Sequence, residues 1–503
     1  MGRNRNQLYP HGSTGDTVSR TTILYKDIAP GAEEDASITT TTAETFANPD
    51  LLPAGVTPAP TITCELNHWG LDGTYMLVEN EPVAFWSTEL SGDDCSFQNK
   101  SVITIDFNQQ YSSVGITLVF DSASDEFCNS VNIKWYQGEA QKASADFTPN
   151  SSTYFCQQQV ESYNKVVITI NSTNLPGRRA KLEHIIFGIF RYFTMGELRS
   201  ASIVNEMSLI ATEMPISTMK WTLDSDDDVD FMFQLKQPVE VRNNDSLIGV
   251  YYIDAYSRSA ATVYDIECYD ALGVLDETPF DGGAYSSKSA MALLTEILDG
   301  DFSIEYGEGV TDTTLTGILQ ASSKREAIQQ VLFAWGVCAS TDGRESIYVF
   351  NLPTAAEIVS PNRTYTGVTV ETSSIVTKVN VKAHTYTQSE NGSIEIDGVK
   401  YSDTTSVYSV SNPNVTATDK QNVIEISSAT LVSPAIGQAV AQRVYDYYLN
   451  RNTNKAKIVW NGEQLGDYLT MPNAWDSTNT GHLAKMEIKL SNTVAATCET
   501  IGV

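Results

Sequence analysis

Four runs in the first half of the chain, SVITIDF (101–107), VGITLVF (114–120), VNIKWY (131–136) and KVVITI (165–170), alternate apolar with polar side chains. That period of two is the period of a β-strand, whose successive side chains point to opposite faces. In the third run Val131, Ile133 and Trp135 take one face, and Asn132, Lys134 and Tyr136 take the other. Such a strand belongs to a sheet with one face buried and one wet. Region 63–192 is therefore expected to be a β-sandwich or jelly roll.

The alternation resumes over 195–270. Met219, Trp221 and Leu223 share a face of MKWTL, and FMFQLKQPVEV and LIGVYYIDAY follow, with Pro238 suited to an edge or a strand end. A second β-domain, a small barrel, is expected there. Over 271–350 the period changes to that of a helix. Ala290, Leu293, Leu294, Ile297 and Leu298 form one stripe that stops at Gly300. Ser323 and Glu326 have capping-box spacing ahead of a stripe of Ala327, Ile328, Val331, Leu332 and Trp335, which ends at Gly336. This is a small α/β module, closed by the strand SIYVF. Region 351–503 returns to strands as a second barrel-like domain with one helix. That helix is predicted to be capped by Ser433, with Pro434 as its first residue and Ile436, Val440, Val444 and Tyr447 as its buried stripe. Residues 1–62, rich in Thr, Ala, Pro and Gly without sustained periodicity, are expected to be an extended arm or long linker. An arm of this kind, where ordered, usually lies along a neighbouring subunit.

At 503 residues the chain exceeds what one core supports, in agreement with several domains. Sixty-two acidic against 32 basic residues give a net charge of −30, which opposes direct nucleic-acid binding. No stretch is apolar enough to span a membrane, and the basic N-terminus lacks the apolar core of a secretion signal, so synthesis and assembly in the cytoplasm are expected. The seven cysteines include no C-x-x-C pair and read as free thiols in the core. One or two disulfides within 64–156 are the alternative.

Little in the chain carries recognisable chemistry. Asp224, Asp226, Asp227, Asp228 and Asp230 invite a calcium loop, but Val229 and Leu235 stand where an EF-hand needs Gly and Glu. The acidic run reads as a solvated turn, with a cation site at Asp224, Asp226 and Asp228 as the alternative. The five histidines are scattered, and there is no H-E-x-x-H, G-x-S-x-G, P-loop or dinucleotide fingerprint. No cofactor is implied. Paired carboxylates of the glycosidase kind occur by chance among so many acids, but none is grouped with aromatics that would shape a sugar cleft. Trp69, Trp86 and Tyr111 fall in or near loops and are the candidates for stacking on a glycan, against the plainer reading that jelly-roll aromatics are core. Arg178 and Arg179 read as a solvated turn.

Three segments carry a family resemblance: 314–350 (TLTGILQASSKREAIQQVLFAWGVCASTDGRESIYVF), 235–256 (LKQPVEVRNNDSLIGVYYIDAY) and 270–285 (DALGVLDETPFDGGAY). They resemble tail hub proteins of phages and prophages from Gram-positive bacteria, in which the chain runs barrel, helical module, barrel. The stretch from Phe85 to Gly188, with GITLVF, VNIKWYQGE and LEHIIFG, resembles the discoidin-type or carbohydrate-binding jelly roll placed ahead of some such hubs. The resemblance spans roughly 65–385 and includes no fused lysozyme, peptidase or spike. It implies a structural, non-enzymatic virion protein: a baseplate or tail-tip hub in the virion tail, a homotrimer whose two barrels per subunit bridge the hexameric tail tube to a threefold tip. Its implied partners are tail tube, distal tail or baseplate proteins, with a host cell-wall glycan as a further candidate. A carbohydrate-binding adhesin or receptor-binding tail protein is the alternative, and a secreted glycan-active enzyme the third reading.

Overall fold

A computed structural model describes residues 21–502, except positions 30, 58, 226–232, 245, 417–419, 473–476 and 491–493, and describes Phe190 by its backbone alone. Strands dominate, and the five α-helices among the described residues are short, so the chain is mainly β with a small α/β module. It divides into two compact units, one of Tyr25–Arg191 and one containing Tyr192–Val503 together with the segment up to Leu24.

The Tyr25–Arg191 unit is built on a seven-stranded sheet in the order Phe85–Leu90, Arg179–Ile186, Ser96–Phe120, Thr153–Ser172, Ser130–Gln137, Ala140–Phe147, with Ser37–Thr40 added along Ser96–Phe120. All these pairings are antiparallel. The alternation predicted from sequence sets the register. Ile168 lies between Ile103 and Ile133, and Val166 between Ile105 and Trp135, so rows of apolar side chains cross three strands. All six are fully buried, each worth about 1.5–3 kcal/mol relative to an exposed position. The runs at 101–107 and 114–120 belong to one 25-residue strand and are not separate strands. Register shifts between Asp106 and Gly115 bend it against its partner. A Cβ at Gly115 would lie 2.4 Å from the Cys156 carbonyl oxygen, so only glycine permits the approach.

The expected arm differs from what is observed. Thr21–Ile28 is an eight-residue strand with Ile23 and Tyr25 fully buried, Ala32–Asp35 is a helical turn, and Ser37–Thr40 pairs with the long strand. Of the segment 1–62, positions 1–20 lie outside the described residues. The run TTILYKDI carries β-branched and aromatic residues, a strand signal that the surrounding Thr, Pro and Gly mask.

In the second unit the strands of one sheet fall into two halves. The first contains Leu198–Glu206, Thr218–Asp224, Val263–Tyr269, Ser246–Arg258 and Pro238–Asn243. The second contains Thr478–Leu490, Ala495–Gly502, Asn452–Val459 and Thr369–Thr372, with Tyr468–Pro472 and Glu357–Ile358 beside Thr478–Leu490. The halves join where Leu198–Glu206 pairs antiparallel with Thr478–Leu490, from Ala201 opposite Leu490 to Glu206 opposite Lys485. A shared polar contact reinforces the joint. The Asp342 carboxylate, in the module, accepts from Asn205 Nδ2 at 2.7 Å and from the Leu465 backbone N–H at 2.9 Å.

The module's helices follow the predicted stripes. Ala290–Leu298 buries the five predicted residues and is capped by Ser289, whose hydroxyl accepts from Ala292 N–H. Lys324–Trp335 starts at Ser323, which accepts from Glu326 N–H, and ends at Gly336 in the left-handed region. Trp335 is only partly buried. The third helix starts later than predicted, at Gly437, and Ser433 makes no cap. The Tyr408 ring lies 2.5 Å from where a Cβ on Gly437 would be, and the chain enters the helix through a turn closed by Ile436 and Gly437 N–H groups on the Ser433 carbonyl. These helices and the Lys378–Gln388 strand share one core.

Candidate functional site

In the first unit, strand alternation aims Arg179 and Lys181 to the same side of Arg179–Ile186, opposite the core residues Ala180 and Leu182. The Lys181 side chain is only 3% exposed, so its ammonium needs partners. It has three carboxylates: Glu65 at 3.0 Å, Asp121 at 3.1 Å and Glu126 at 3.6 Å. The Trp86 ring covers it, with the ammonium 5.0 Å from the centroid. Glu126 also pairs with Arg178 at 2.5 Å and with His68 Nε2 at 2.9 Å. Arg179 pairs with Glu44 at 2.5 Å. Arg178 and Arg179 are thus members of this cluster and do not form the solvated turn expected from sequence, because each meets an acid brought from a distant segment.

Glu65 has the most complete set of partners. Burial opposes its charge, but the Lys181 ammonium, the Arg179 N–H and the Thr63 hydroxyl outweigh burial and hold it below the ordinary carboxylate value. Glu183 has the opposite balance. Burial raises it to about 7, against the Ser122 hydrogen bonds.

Ligand atoms of His68, Asp121 and Glu126 lie within 4.8 Å of one another, a spacing compatible with a metal ion. The charges argue against one, since Lys181 and Arg178 already sit against these carboxylates as the positive partners. A cavity of about 30 Å³ lined by Trp86, Asp121, Glu81 and Glu183 adjoins the cluster. It has room for water, not for a sugar ring.

The cluster anchors an ordered loop. Thr61 and Met76 form a β-bridge, Thr63 N–H donates to His68 O, and Tyr75 hydroxyl donates to Asn67 O. On this base the loop presents Leu66, Trp69 and Leu71 to solvent, at 74%, 68% and 97% exposure. Exposed large apolar side chains grouped on a fixed loop are the usual mark of an interaction surface.

The fold separates the three aromatics named from sequence. Trp69 is on the exposed loop. Trp86 carries Lys181 on its ring and Phe46 against it at 5.5 Å, edge to face. Tyr111 belongs to another part of the unit, nine residues or roughly 30 Å along the strand from Phe120; its hydroxyl donates to Gly31 O at 3.0 Å and Asp35 at 3.2 Å. Of the acidic run, Asp224 pairs with Arg199 at 2.6 Å, and Asp226 and Asp228 lie outside the described residues. Sequence reasoning missed Glu65, Glu126 and Lys181. Their types are ordinary and their separations are set by the fold, so no local signal marks them. The seven cysteines are free thiols, with Cys128, Cys156, Cys268, Cys338 and Cys498 buried.

No protein-family model matches the sequence, and no curated protein matches it. Solved structures do show similarity of fold. A tail protein from Neisseria meningitidis MC58 matches 62% of this chain and 93% of its own length at 10% identity and a TM-score of 0.44. The 43 kDa tail protein of prophage MuSo2 from Shewanella oneidensis matches 62% and 96% at 9% identity and a TM-score of 0.44. Prophage tail protein gp18 from Listeria monocytogenes EGD-e matches 61% and 91% at 11% identity and a TM-score of 0.42. These three structures are a tail protein and two prophage tail proteins.

Proposed function

We propose that this chain is a structural protein of a phage-type tail, assembled in the host bacterial cytoplasm and carried in the virion as a trimeric hub between the hexameric tail tube and a threefold tip. The main support is the two-halved sheet of the second unit, joined at a single strand pair. A threefold object meets a sixfold one continuously only if each subunit presents two like surfaces. Two mainly antiparallel halves built from separate parts of one chain offer such a pair, with 195–270 and 351–503 as the two barrels and 271–350 as the module between them. The partners on this reading are tail tube, distal tail or baseplate proteins, and the role is not enzymatic. Light scattering combined with negative-stain imaging of the full chain tests it. Threefold rings are expected; a monomer at all concentrations overturns the reading.

A second reading, a glycan-binding tail adhesin, is favoured by the Leu66, Trp69 and Leu71 loop. It makes the first unit a jelly roll whose ligand is a host wall polysaccharide. Trp69→Ala with Leu71→Ala in the full chain then abolishes retention on host cell walls. Equal retention of the substituted and unsubstituted proteins removes that role from the loop.

A further inference from the structure

Ser433, expected to cap a helix, instead lines a pocket of about 330 Å³ in the second unit, together with Tyr285, His384, Tyr386, Gln388 and Tyr401. This volume is at the lower end of the roughly 300–1,000 Å³ of small-molecule sites. Three tyrosine rings give it apolar faces. Its polar groups are notable for what they lack: the hydroxyls of Tyr386, Tyr401 and Ser433 and the Gln388 amide have no side-chain hydrogen-bond partner among the described residues. Gln388 and Tyr401 are directly opposite on neighbouring strands, so a ligand can meet both at once.

Two carboxylates near the pocket are hydrogen-bonded within the chain. Asp403 accepts from His384 Nδ1 at 2.8 Å, leaving His384 Nε2 buried and without a partner among the described residues. Glu296 accepts from the Tyr285 hydroxyl at 3.0 Å and pairs with Lys288 at 2.8 Å. No lysine or arginine is among the lining residues to attract an anionic ligand. The lining thus presents aromatic faces beside neutral donors and acceptors that have no side-chain partner among the described residues.

We propose that this pocket binds one or two residues of a neutral saccharide, with ring C–H faces against the tyrosines and sugar hydroxyls bonded to Gln388, Tyr401 and Ser433. The site is independent of the Trp69 loop and of the hub assignment, since it draws on the second unit alone. Saturation-transfer NMR on the full chain, with D-glucose, D-galactose, N-acetyl-D-glucosamine and L-rhamnose as separate probes, tests it. Transfer to the ring protons of at least one sugar is expected, with affinity about tenfold weaker in Gln388→Ala combined with Tyr401→Phe, the loss of roughly one to two hydrogen bonds. The melting midpoint should be unchanged, because neither side chain has a hydrogen-bond partner among the described residues. No transfer from any of the four sugars overturns the proposal. So does transfer that is equal in the double variant, which would place the sugar elsewhere on the chain.

Discussion

Asn205 donates its side-chain amide to Asp342 at 2.7 Å, while the Tyr251 hydroxyl donates back to the Asn205 oxygen at 2.8 Å. With the Leu465 N–H on its other oxygen, Asp342 connects both halves of the sheet. Asn205, Tyr251 and Asp342 are all buried. Asp342→Ala leaves two buried donors unsatisfied, so it should destabilise the second unit by about 2–3 kcal/mol. Urea denaturation checks this. A shift within experimental error would mean that the edge pairing alone holds the halves together.

Lys181→Met should be more damaging to the first unit. It removes the ammonium shared by Glu65, Asp121 and Glu126 and leaves their charges facing one another out of water. Breaking one side of a buried ion cluster costs about 3–5 kcal/mol. The thermal transition of the full chain reads this as loss or early onset of one component, with partial recovery when Glu65→Gln is added. Recovery is expected because the second change removes one of the stranded charges.

What the sequence revealed followed from periodicity. Trp135, Ile133 and Val131 are buried where alternation placed them, and the stripes at 290–298 and 324–335 face the core, because burial is averaged over many residues and each repeat reinforces the last. Single-residue expectations fared less well. Ser433 has the chemistry of a cap, but its carbonyl instead accepts from the Ile436 and Gly437 N–H groups in a turn ahead of the helix. Residues 21–28 pass for linker until their burial is known. The ion cluster was illegible for a different reason: Glu65, Glu126 and Lys181 come from segments that only the folded sheet brings together, and nothing in their neighbours distinguishes them from the other charged residues of the chain.

The His68, Asp121 and Glu126 group provides a test of charge against geometry. If Lys181 and Arg178 satisfy these carboxylates, added zinc or calcium should leave the melting midpoint of the protein unchanged, since a ligand stabilises only a folded state that binds it. Calorimetric titration should show no saturable heat. A saturable binding isotherm that is lost in His68→Ala would mean that the lysine gives way to a metal.

Glu183 should give the first unit a pH dependence of definite sign. Its folded value is raised by burial to about 7, from an ordinary 4.5. Between those values the folded chain holds a proton that the unfolded chain has released, so stability falls as pH rises through this window and levels off above about 7. Glu65, held below its ordinary value, acts the other way and only at lower pH: its contribution is present above the unfolded value and is lost as pH falls through the folded one. Glu183→Gln keeps the buried amide neutral at every pH. It should therefore leave the midpoint near that of the unsubstituted protein at about pH 5 and raise it at about pH 8. Melting curves of the two proteins across that range make the comparison, and parallel profiles would show that Glu183 titrates as it does in the unfolded chain.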